Sequence, residues 1–218
     1  QLYNKPFATL GRIMPDSELL KQYPELGDVG VRFEKLPLNN LGSYRTEKFG
    51  KDGNPRKVIV LNESYLDDIK SVGIKDRELE IADYKQRLKK GYTDAQREAA
   101  KLFGAELWSE ETLREKISEH EAAIEKAYED LSDAVHSTLV HEVQHAIQEI
   151  EGFARGGDIK IFGKSKYNYL AGEVEARNVQ ARMDMTPEQR RETLLADTED
   201  VAREEQVVLY RALSDEKT

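Results

Sequence analysis

The chain has 218 residues and 24.9 kDa, with 39% apolar and 34% charged residues and 42 acidic against 33 basic side chains, a net charge of −9. That length suits one domain, or one domain carrying an inserted subdomain, while the acidic balance argues against a general nucleic-acid-binding surface. No apolar run approaches the ~18–20 residues of a membrane span, and the absence of cysteine excludes disulfides and thiolate metal sites.

In chain order, residues 1–28 predict a short helix, Glu18 to Tyr23, capped by Asp16 or Ser17 and stopped by Pro24. The start, Gln1-Leu2-Tyr3-Asn4-Lys5-Pro6, has neither an initiator Met nor the charged-then-apolar plan of a signal peptide. A trimmed chain and a segment cut from a longer polypeptide are both expectations consistent with it. Val29 to Leu36 alternates apolar and polar residues and predicts a half-buried strand. Ser43 to Lys48 is expected to pair with Lys57 to Leu61 through turn residues Gly50 to Pro55. Val58 to Leu61 is continuously apolar, the pattern of a buried strand, whether central or presenting an edge to a peptide.

From about residue 64 to 130 the texture becomes charged and helical. Asp76 to Lys90, Asp94 to Phe103 and Ser109 to Asp130 predict helices, with Thr93 and Ser109 as N-caps and His120 exposed. This reads as a helical insertion: a solvated hairpin, or a partner-binding arm or lid. Leu131 to Ile150 then predicts a further helix, ended by Glu151-Gly152-Phe153-Ala154-Arg155-Gly156-Gly157, whose glycines can adopt left-handed backbone. Ile159 to Phe162 predicts a short strand and Tyr167 to Asp184 another helix. Thr186-Pro187 is a helix start, Gln206 to Leu209 a short strand or helix, and 214–218 a frayed end.

Inside the 131–150 helix lies His141-Glu142-Val143-Gln144-His145, an H-E-x-x-H motif. Four helical positions turn through about 400°, so the two imidazoles lie roughly 40° apart, one turn above the other. From that face they can grip one Zn²⁺, and Glu142 can reach a water on the metal as general base. His136 lies about 140° away and is excluded as a ligand. A catalytic zinc usually takes three protein ligands. Glu173 and Glu175, about 200° apart on the next long helix, are alternatives of which only one can face the metal.

H-E-x-x-H followed by Glu173-Val174-Glu175-Ala176 resembles the gluzincin group of zinc metallopeptidases. Further matches are Ser17 to Leu26, Ser137 to Gln148, Glu151 to Gly157 and Gly172 to Arg177. Together they resemble the zincin-like metallopeptidase domains of large polyvalent proteins of phages and mobile elements, over roughly 10–62 and 131–210. The resemblance implies an α+β, zincin-like fold over 1–218, with a small mixed sheet packed on the H-E-x-x-H helix and a second Glu-bearing helix. The helical insertion spans approximately 64–130. It implies Zn²⁺ held by His141, His145 and Glu173, with Glu142 catalytic in peptide-bond hydrolysis, and Tyr167, Tyr169, Arg155 and Arg177 as candidate oxyanion or substrate donors. Family members often carry Asp after the Ala; here Arg177 stands there, so support for a ligand histidine must come from elsewhere. The implied partners are a protein or peptide substrate, with no nucleic acid and no membrane, in a segment of a larger polyprotein. The implied setting is the cytoplasm of a bacterial host, with delivery in a virion as a variant. A catalytically idle zincin fold that binds a partner is the alternative.

Overall fold

Four strands and a set of helices make an α+β protein whose small sheet is mixed. The computed structural model describes residues 8–37, 40–49, 54–64, 73–153, 156–157 and 159–209. These divide into two compact units, 64–134 and the remainder. Among the described residues no helix is long and apolar enough to cross a membrane.

The first unit opens with β1 (Ala8–Thr9), α1 (Leu10–Ile13), α2 (Glu18–Gln22), a 3-10 turn (Pro24–Asp28), β2 (Gly30–Glu34), β3 (Gly42–Phe49) and β4 (Asn54–Asn62). Ser17 rather than Asp16 caps α2, accepting from the Leu20 N–H at 3.3 Å, and Pro24 starts a 3-10 turn. The strand order is β1-β2-β4-β3, with β2 and β4 parallel and the outer pairs antiparallel. Val58 to Leu61 therefore lies in the interior strand, and β3 is the edge. Their near-zero exposure on both faces explains why the run does not alternate.

One sheet face, with Val31, Ile59 and Leu61, packs against Leu139, Val143, Ala146 and Ile147. Those four recur at helical spacing on α5 (Glu110–Glu151). Lys57 Nζ reaches Glu149 at 2.5 Å and holds β4 to the same helix. The register puts Arg32 opposite Val60 and Arg45 opposite Val58, so both arginines share the other face. There Arg32, 8% exposed, is forked between Glu34 and Glu47, both at bonding distance. The guanidinium is thereby paired on the sheet face that also carries Val58 and Val60.

After α5 come α6 (Ile159–Tyr167), α7 (Ala171–Ala181), α8 (Pro187–Glu192) and two 3-10 turns, Leu195–Asp197 and Arg203–Glu205. Ile159 to Phe162 is thus helical, not a strand; four apolar-rich residues carry no period that separates the two. The helix expected over 167–184 is divided. Tyr167 ends α6, which breaks at Gly163 (φ 70°), and α7 begins only after Leu170. The division has a tertiary cause: Ala171 N–H donates to Val207 O at 2.9 Å, and Val207 N–H to Tyr169 O at 2.7 Å. That parallel bridge is also what the Gln206 to Leu209 segment forms. The turn residues 50–53, Arg155 and the end 210–218 lie outside the described residues.

The second unit contains α3 (Ile74–Lys90), α4 (Asp94–Phe103) and the first part of α5. Ile81, Tyr84, Leu113 and Ile117 form its core. Thr93 and Gln96 make a reciprocal capping box at the start of α4. His120 is not exposed as expected. Its side chain is 17% exposed, with Nε2 at 3.0 Å from Glu80 and Nδ1 at 3.0 Å from Arg77.

Candidate metal centre

His141 and His145 stand one turn apart on α5, on the flank opposite Val143, which faces the sheet. Their Nε2 atoms are 3.1 Å apart. Glu173, 1% exposed in the first turn of α7, brings Oε2 to 3.4 Å from His141 Nε2 and Oε1 to 3.5 Å from His145 Nε2. These three residues form the only group of at least three His, Cys, Asp or Glu among the described residues that could hold a metal ion. Ala176, 0% exposed, is a small residue on the buried side of α7.

The protonation of the imidazoles follows from two glutamines. Gln148 Nε2 donates to Gly172 O at 2.8 Å and to Glu175 Oε2 at 2.7 Å, so its amide nitrogen is on that side. Its Oε1 then faces His145 Nδ1 at 2.9 Å and can only accept. Gln180 Nε2 likewise lies against Ser137 O at 3.0 Å and Ser137 Oγ at 2.9 Å, leaving Oε1 to accept from His141 Nδ1 at 2.9 Å. With a proton on each Nδ1, each ring in its neutral form presents a bare Nε2 lone pair toward the Glu173 carboxylate. Such a cluster of acceptors is stable only around a cation or a proton.

The electrostatics agree. Burial would lower the His145 pKa, but the Glu173 carboxylate outweighs it and raises it to about 8. Burial would raise Glu173, yet its hydrogen bonds with His141 and His145 hold it far below the usual carboxylate range. A proton and a divalent cation thus compete for the same three atoms. Glu173 is further held by the Gly157 N–H at 2.8 Å and the Tyr167 hydroxyl at 2.5 Å. Tyr167 remains a phenol, because burial first and Glu173 second push its pKa well up.

Glu142 is 6% exposed and accepts from the Tyr44 backbone N–H on β3. Burial raises its pKa, offset in part by the two histidines. Gly42 permits this approach: a Cβ there would lie 2.6 Å from Thr138 Cγ2 and 2.7 Å from Glu142 Oε1.

The remaining expected positions are spread. Glu175 accepts from Gln148 and, with His136, lines a separate cavity of about 740 Å³ that also includes Val140 and Arg182. Arg177 is engaged by Asp200 at 2.6 Å and Asn168 O at 2.7 Å. Tyr169 is 43% exposed. Of the Glu151 to Gly157 glycines, only Gly152 has positive φ (69°), ending α5. Gly156 serves another need: a Cβ would collide with Glu173 Oε1 and lie 2.5 Å from His145 Cε1. Sequence reasoning missed Gln148, Gln180, Gly42 and the contact role of Gly156. Only Gln148 left a signal, three positions after His145 on the same helix. No family model, curated protein or solved structure matches the chain.

Proposed function

We propose that the protein is a zincin-like, zinc-dependent peptidase. The observation that carries this reading is the convergence of two imidazole nitrogens and one buried carboxylate, with the buried Glu142 adjacent to His141 on the same helix. The donor set fits zinc: nitrogen and oxygen ligands, three in number, as in hydrolytic sites that keep a fourth position open. His141, His145 and Glu173 would hold the ion, which supplies Lewis acidity, activating water near neutral pH and polarising a carbonyl. Glu142 is the proton carrier in this reading. Its raised pKa suits a group that takes a proton from the attacking water and gives it to the leaving amine. Tyr167 positions Glu173, and a role toward the oxyanion would require its hydroxyl to leave that carboxylate. The edge strand β3, with Gly42 and Tyr44 beside Glu142, offers backbone groups to an extended peptide.

One observation favours the alternative of a metal-holding fold without turnover: Glu142 is nearly enclosed and tied to Tyr44. Both readings are tested with zinc-loaded wild type and Glu142→Gln on a mixed peptide library. Cleavage by wild type, lost in Glu142→Gln with zinc retained, supports the peptidase. Zinc binding without cleavage supports the idle fold, and failure to bind zinc removes both.

A further inference from the structure

The geometry points to Gln180 and Gln148 as the positioning residues of the two histidine ligands, each amide locked so that its oxygen holds Nδ1–H and leaves Nε2 bare. This deepens the zinc-site reading and rests on it for its purpose, though not for its geometry. An amide can present either end to an imidazole, and the wrong end would place the ring proton on Nε2, where a cation must bind. What prevents the flip is the company of each NH₂ group. Gln180 Nε2 faces Ser137 O, which cannot donate. Gln148 Nε2 faces both Gly172 O and the Glu175 carboxylate, neither of which can donate.

The two locks differ. Gln180 is half-buried and uses a neutral carbonyl and a hydroxyl. Gln148 is 1% exposed and ends on a charge. The Glu175 carboxylate polarises the Gln148 amide and makes Oε1 a better acceptor for His145. Glu175 thus acts on the site at one remove, through Gln148. The Arg177 side chain is engaged instead by Asp200 and Asn168 O.

The test measures histidine tautomers and zinc affinity separately. Long-range proton–nitrogen correlation spectra of zinc-free protein at about pH 10 should show His141 and His145 as Nδ1–H. Zinc affinity by chelator competition should fall about 10–100-fold in Gln180→Leu and in Gln180→Lys, which keeps a donor but offers no acceptor. Gln180→Glu, an acceptor without the donor, should stay within about threefold of wild type. A mere tether to Ser137 gives the opposite order, with Gln180→Lys retained and Gln180→Glu weak, and overturns the proposal. Glu175→Gln should lower affinity by about threefold or more while keeping the His145 tautomer, because Gly172 O still holds the amide. Unchanged affinity there removes Glu175 from the lock. Thermal unfolding accompanies each variant; should Gln180→Leu fail to fold, the Gln180→Glu and Gln180→Lys pair decides. An Nε2–H tautomer at either histidine in wild type overturns the inference outright. Wild type that shows both Nδ1–H tautomers but binds no zinc sustains the lock and defeats the metal reading.

Discussion

Adding one methyl group at Gly156 should damage the proposed metal site more than the fold. A Cβ there lands on Glu173 Oε1, 2.5 Å from His145 Cε1 and 2.8 Å from His145 Nδ1. Ordinary carbon contacts lie near 3.5 Å, so something must move by about 1 Å. The side chains are poorly able to yield. Glu173 is pinned by Gly157 N–H and Tyr167, and His145 by Gln148. Overpacking of this kind costs about 1–3 kcal/mol, and each kcal/mol lowers the unfolding midpoint by about 2–4 °C in a protein of this size. A ligand shift of about 1 Å exceeds the ~0.5 Å tolerance of a preorganised site, so Gly156→Ala should weaken zinc about tenfold or more. Gly152→Ala is the control. Its φ of 69° makes Ala strained, at about 1–2 kcal/mol, but no neighbouring atom lies within 4 Å of the new Cβ. It should lower the midpoint and leave zinc affinity alone. Scanning calorimetry with chelator competition checks both. Zinc binding unchanged in Gly156→Ala, or lost equally in Gly152→Ala, would show that Gly156 does not make room for Glu173 and His145.

Glu173→Ala should weaken zinc far more than Glu175→Ala, because only Glu173 reaches the histidine nitrogens; competition titrations give the order, and the reverse result shifts the ligand to Glu175. Tyr167→Phe removes a donor from Glu173 and should reduce zinc affinity by a few-fold, about 1 kcal/mol; a fall in turnover at unchanged affinity would instead mark Tyr167 as an oxyanion donor. Hydrogen bonding to Arg32 lowers the pKa of both Glu34 and Glu47 from 4.5. The folded pKa being depressed, this contribution is complete above the unfolded value and is lost as pH falls through and below 4.5. Denaturant titrations of Glu47→Gln between neutral pH and about pH 3 should therefore show lower stability at neutral pH and a shallower acid decline. An unchanged acid limb would remove the Arg32 cluster from the account.

Local periodicity alone encodes part of this molecule. Helical spacing places His141 and His145 on one flank, with Val143 and Ala146 turned elsewhere, whatever surrounds them. An apolar run such as Val58 to Leu61 must be covered on both faces, and Thr93 and Thr186 announce their helices through the backbone donors they cap. Tertiary structure decided what depends on partners distant in the chain. Glu173 and Glu175 are equivalent until α7 docks and one carboxylate meets the imidazoles while the other meets Gln148. The interruption before Ala171 comes from Val207, 36 positions later, and no local pattern encodes it. Gly156 reads as a turn residue and proves to be a space for the Glu173 and His145 side chains. Above all, the orientation of both amides is set across the interface between α5 and α7, Gln180 by Ser137 and Gln148 by Gly172 and Glu175, because an amide has no preferred end until its neighbours supply one.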